Sequence, residues 1–255
     1  MRLDEITQMN DISEFVNKYV RQKLPGSMHG APAGVMFGEI INFIDLFKTA
    51  VNRYLAKHDY PLYLDSLTVV PSRGLDGGAF YPTTVDTATN AHPNGRIEIK
   101  FPQVNGDTFE LHRRAIQHYL QNILSHEIGH GLQVSKDKGA VAYQRAEVQL
   151  NNGPEETKYF DYLSSHLESE MQAFSSAKDL IHISKERNLP VQKLLGLAVT
   201  DRQTFLKYLE GNPSLTSLRT MFISFYDLPE NPAKSKALKR FLKKLYQYVE
   251  HLVDA

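Results

Sequence analysis

The chain has 255 residues, 42% of them hydrophobic and 23% charged, which excludes a disordered or low-complexity polypeptide and leaves room for one large domain or two modest ones. Lys+Arg and Asp+Glu each number 29, so no whole-molecule charge draws the chain to nucleic acid or to anionic lipid, and no nucleic-acid partner is expected. Cysteine is absent, which removes disulfides, thiolate nucleophiles and thiolate metal sites and leaves ten histidines, with Asp and Glu, as the strong metal ligands. No apolar run approaches the ~18–20 residues of a membrane span, and the first fifteen residues mix acids into their turns, unlike a secretory signal. A cytoplasmic protein is the expectation.

Asp11 and Glu14 have capping-box spacing and predict a short helix from there to about Leu24, with Ile12, Phe15, Val16, Tyr19 and Val20 on one side. Pro25 to Gly34 is a loop by its Gly and Pro content. Val35 to His58 then carries Ile40, Ile41, Ile44, Phe47, Val51 and Leu55 at helical spacing. The period changes over the next stretch. Leu67–Val70 is β-branched, Ala79–Tyr81 is a second short strand candidate, and Arg96–Phe101 alternates strictly, with charges suited to a sheet edge.

Helical spacing returns at Phe109 and runs to Gln133. A helix from about Glu155 to Lys185 follows a polar loop, and three more are predicted to begin near Asp201, Ser214 and Pro232. Helices, three strands and then helices again make an α+β chain, not an alternating βαβ one.

The long helix contains His126-Glu127-Ile128-Gly129-His130. Residues four apart lie about 40° apart on one helix face, so both imidazoles can reach one ion. Glu127 stands about 100° round, beside the ligands, where a carboxylate can take a proton from a metal-held water. With ten histidines and fifteen glutamates, chance places roughly 0.02 such matches in a chain of this length. Tyr119 and Ile123 precede His126 on its own face, which sets the histidines at the border of a buried side.

A tight site needs a third ligand from elsewhere in the chain. A further histidine six residues after His130 would mark the long metzincin motif, but that position is Lys136, so that class is excluded. Two acids on the following helix remain. Glu170 shares a stripe with His166, Ala173 and Ala177, flanked by Leu163, Leu167, Met171 and Phe174. A carboxylate there needs a counter-charge, which a metal would supply. Glu168 points about 200° away, among Ser165, Ser169 and Gln172, where a solvated acid is the natural reading. Helix geometry therefore favours Glu170, with Glu168 and His166 as alternatives.

With Glu170-x-x-Ala173 downstream, the His126–His130 motif resembles the gluzincin branch of zinc metallopeptidases, and within it small bacterial and bacteriophage members. The resemblance covers roughly residues 60–180. It implies a zincin-like half-domain with a small sheet over the active-site helix and a second helix delivering the glutamate. It also implies Zn²⁺ on His126, His130 and Glu170, and hydrolysis of a peptide or protein substrate with Glu127 as general base. Tyr81, Tyr159, Tyr162 and His166 are candidates for the oxyanion-stabilising group that such enzymes add. On this reading residues 1–186 form the metallopeptidase domain, with 1–35 as N-terminal helix and loop, and 187–255 are a helical extension packed on it. The alternating strand Arg96–Phe101 is expected to hold an extended substrate through an exposed edge.

Two competitors differ in class. One is a zincin-like module that holds zinc or a partner and cleaves nothing; the intact Glu127 argues against it. The other is a regulatory protease restricted to one partner protein. The last helix sets Lys234, Lys236, Lys239, Arg240, Lys243 and Lys244 opposite Leu238, Phe241, Leu242, Leu245, Val249 and Leu252. That pattern predicts a docked helix with a solvated basic face, to which an acidic partner is suited. Gly74, Gly77 and Gly78 lack phosphate-loop spacing.

Overall fold

The first segment of chain builds helix on sheet. Helices α1 (Leu3–Lys23) and α2 (Ala33–Lys57) precede strands β1 (Tyr63–Ser72), β2 (Gly78–Asp86) and β3 (Ala91–Pro102), and α3 (Gly106–Leu111) and α4 (Arg113–Val134) follow. The structure is a computed structural model and describes residues 3–26, 28–75, 77–86, 88, 91–135, 166–209 and 232–254. The chain divides into two compact units, Met1–Tyr143 and Gln144–Ala255. It is α+β, mostly helical, with one small mixed sheet among the described residues.

Helix α1 starts well before the predicted cap. Ile6, Met9, Ser13, Val16 and Val20 are buried at helical spacing, so the apolar stripe extends back through Asp11. Asp11 is a mid-helix residue whose main-chain oxygen accepts from the Tyr54 hydroxyl at 3.4 Å and whose carboxylate accepts from the Tyr60 hydroxyl at 3.2 Å. The Phe15 ring stacks on Tyr54 with centroids 4.3 Å apart. Helix α2 buries Met36, Phe37, Ile40, Phe43, Ile44, Phe47, Val51 and Leu55, the stripe read from the sequence together with Met36, Phe37 and Phe43. Ile41, placed on that stripe, is exposed.

The strands are ordered β1-β3-β2, with β1 parallel and β2 antiparallel to β3. Arg96–Phe101 is therefore in the central strand, and the predicted sheet edge is corrected. Alternation reports that one face is buried (Ile97, Ile99 and Phe101 here) and carries no information on how many strands lie alongside. The edge strands are β1 and β2. Helix α2 packs on β1, and Asn52 pairs with both main-chain polar groups of Leu64 at 2.9 Å, as a neighbouring strand would.

Helix α4 packs on β2 and β3 and also against α1. The Tyr119 hydroxyl donates towards the carbonyls of Gly77 at 2.8 Å and Lys100 at 2.6 Å, tying the middle of α4 to β3 and to the residue just before β2. Gln121 Nε2 donates to the Asn17 carbonyl at 3.1 Å, tying α4 to α1. The single predicted helix from Phe109 is in fact two. Asn105 accepts from the Thr108 N–H to start α3, and His112, at φ −103° and ψ 12°, separates it from α4.

In the second unit, α5 (His166–Arg187), α6 (Val191–Thr200), α7 (Arg202–Leu209) and α8 (Pro232–Asp254) are helices. The predicted starts near Asp201 and Pro232 are met, and α6 is a further helix ahead of them. The polar loop, the stretch 155–165 and the helix near Ser214 lie outside the described residues. Helix α8 packs on α5. Phe174 meets Tyr248 edge to face at 5.5 Å, and Ala173 and Ala177 are fully buried, the small residues that let two helices approach closely.

Candidate metal centre

His126 and His130 are placed by the last turns of α4, one helical turn apart. Gly131 sets how close this part of the helix comes to the sheet: a Cβ there would lie 2.7 Å from Leu62 Cδ2 and 2.9 Å from Phe80 Cε2. Further up, Gly78 of β2 lies against Ile123, where an added Cβ would meet Ile123 Cγ1 at 3.0 Å. The helix is thus seated along β2 by glycines on both sides of the contact.

The two imidazoles converge. His126 Nε2 and His130 Nε2 are 3.0 Å apart, with ring centroids at 4.6 Å and planes at 85°. His130 Nδ1 lies 3.1 Å from Gln133 Oε1, an acceptor, so Nδ1 carries the proton and Nε2 presents its lone pair. Gln133 follows the motif by three residues and holds the second imidazole in this tautomer. Two nitrogens at ~2.0–2.1 Å from one tetrahedral zinc stand about 3.3 Å apart, close to the observed separation, so the pair fits such an ion. Glu127 is 4% exposed and His126 9%, so both side chains are withdrawn from bulk water.

The acids on α5 differ from their sequence-based reading. Glu168, read as solvated, is 3% exposed, and Gln172 Nε2 donates to its Oε1 at 2.5 Å. Glu170 is buried as expected, but its counter-charge is supplied within the chain: Lys244 Nζ of α8 lies 2.9 Å from Glu170 Oε1. The ground for preferring Glu170 over Glu168, a buried charge awaiting a cation, therefore falls away. Nothing in the local pattern marked Lys244 as its partner, because the two are 74 residues apart.

The α8 lysines are corrected with it. Lys234 is 3% exposed and Lys244 is engaged with Glu170, so two of the six cations assigned to a solvated face belong to the packed side. Among the oxyanion candidates, Tyr81 lies on β2 with the Arg96 guanidinium 4.7 Å over its ring. Tyr159 and Tyr162 lie outside the described residues, as does the side chain of His166. His29, between α1 and α2, is 3.1 Å from the Asp107 carboxylate. Together with the Gly30 N–H it holds the Asp107 carboxyl below the usual carboxylate range.

No protein-family model, curated protein or solved structure matches this chain. No helix among the described residues is long and apolar enough to cross a membrane.

Proposed function

We propose that the chain is a zinc-dependent peptidase of gluzincin type, in which His126, His130 and a glutamate of α5 hold the ion and Glu127 is the general base. The observation that carries this reading is the convergence of the two Nε2 atoms at 3.0 Å on one helix face, next to a buried Glu127. For the third donor we favour Glu168 over Glu170. Glu168 is buried beside the neutral Gln172 amide, whereas the Glu170 carboxylate is already engaged by the Lys244 cation.

When bound, an ion on two imidazoles and one carboxylate with an open position lowers the pKa of a water to about 7 and polarises a carbonyl. Glu127 accepts the proton as the water oxygen attacks the scissile carbonyl carbon, and delivers it to the amine nitrogen as the C–N bond breaks. His130 is kept a neutral donor by Gln133, and the aliphatic residues Leu124, Ile128 and Leu132, all buried, fix the helix that carries the pair. An extended substrate cannot add to β3, whose two sides are both paired. Of the edge strands, β2 is the one packed on α4, and the substrate strand is assigned to it in place of Arg96–Phe101.

The test compares wild type with Glu127→Gln on a peptide library, with bound metal measured in both. Metal retained by both proteins, with cleavage by the wild type alone, supports a peptidase. Metal in both and cleavage in neither points to the zinc-holding module or to a protease confined to one partner.

A further inference from the structure

The basic helix α8 divides its cations in two. Lys234 and Lys244 are drawn into the second unit, the latter onto Glu170. Lys236, Lys239, Arg240 and Lys243 are exposed, and with Ser235 they line a shallow concavity of about 460 Å³. Their i, i+3, i+4, i+7 spacing places four positive groups on one face within roughly 10 Å of helix. Among the described residues none of the four has an ion-pair or hydrogen-bond partner.

Their position along the helix adds to this. The first turn of α8 holds no acid, and cations crowd its N-terminal half. From Pro232 to Lys243 no acid stands among the cations to offset their mutual repulsion. An anion supplied from outside would relieve the repulsion among the four groups.

We infer that this face of α8 is a docking surface for a short acidic segment of a partner polypeptide. A bilayer is the poorer fit: Ala237, Phe241, Leu245, Tyr248 and Val249 are buried, so the apolar side of the helix is not available for insertion. A flat anionic surface would also meet Glu250, exposed on the same face two turns beyond Lys243. Four cations over so short a length fall below the 6–10 phosphate contacts that give a nucleic-acid interface its strength. Spaced carboxylates match the stripe in length and sign, and Arg240 offers a fork for bidentate pairing.

The experiment titrates the full chain against a fluorescent polyglutamate of about twelve residues, read by anisotropy. A single-stranded oligonucleotide of equal charge and phosphatidylserine vesicles form the other arms. Binding of the peptide that weakens with salt, and weakens about tenfold in K236Q/R240Q/K243Q, is the expected result, since three exposed ion pairs are lost together. The double variants K236Q/K239Q and R240Q/K243Q each lose part of the affinity, which keeps the result independent of any one side chain's part in folding. No peptide binding, binding unchanged in the triple variant, or tighter capture of the oligonucleotide or vesicles overturns the inference.

Discussion

Lys244 Nζ lies 2.9 Å from Glu170 Oε1, with the glutamate side chain only 7% exposed and the lysine 25%. This pair ties α8 to α5, and on the proposed reading it leaves the ion to Glu168. Lys244→Met leaves a carboxylate without its cation and is expected to cost about 1–3 kcal/mol, less than a fully buried pair because the lysine is partly solvated. Lys244→Met with Glu170→Leu recovers most of that, read from urea midpoints. In metal content the order reverses: Glu168→Ala loses the ion and Glu170→Ala keeps it. The opposite pattern would return the third ligand to Glu170.

Gln133 sits 3.1 Å from His130 Nδ1 and fixes which ring nitrogen faces His126. Gln133→Ala frees the imidazole to rotate and to exchange tautomers, and metal affinity is expected to fall about 10–100-fold with the fold intact. Competition against a chelator measures it. An unchanged affinity would mean that Gln133 does not orient the ligand.

Tyr60 gives the fold a dependence on high pH. Burial, and then the charge and hydrogen bond of Asp11, push its hydroxyl up to about 12, against about 10 in an unfolded chain. The folded state therefore holds this proton more tightly. Its contribution to stability is complete below about pH 10 and is lost as pH rises through about 12. Tyr54 is raised as well, by burial and then by Asp11 and Glu14, and acts in the same direction. Tyr60→Phe should flatten the fall in unfolding free energy across this range, followed by urea denaturation at stepped alkaline pH.

Gly106 opens α3 where the chain passes the loop before α2. A Cβ there would stand 1.8 Å from the Met28 carbonyl oxygen, a main-chain atom that cannot swing aside. The Gly106 N–H also donates to the Ala31 carbonyl at 2.9 Å. Gly106→Ala is expected to destabilise by about 2–3 kcal/mol through overpacking, whereas Gly26→Ala, with nothing within 4 Å, should lie within about 0.5 kcal/mol of wild type.

What could be read from the sequence follows the range of the physics involved. The α2 stripe and the pairing of His126 with His130 depend on spacing within a helix, and both are seen. The alternation from Arg96 to Phe101 revealed a buried face, but strand order is set by pairing between distant segments, so the central place of β3 was hidden. Asp11 has the chemistry of a cap, yet Ile6 and Met9 continue the buried stripe before it, and burial outweighs a cap. The break at His112 carries no Gly or Pro to announce it. Helix α6 carries a local signal: Pro190 stands just ahead of Val191, Leu194, Leu195 and Ala198, all buried at helical spacing. Glu170 was recognised as a buried acid, but its partner comes from the far end of the chain.

On the proposed reading the facing Nε2 atoms of His126 and His130 hold a divalent ion. The most direct measurement is the zinc stoichiometry of the full chain beside His126→Ala and His130→Ala, by elemental analysis after dialysis against trace zinc. About one ion per wild-type chain is expected, as for a site with three protein ligands, with the ion lost from either variant. A wild type that takes up no zinc, or histidine variants that keep it, would show that the two imidazoles hold no ion.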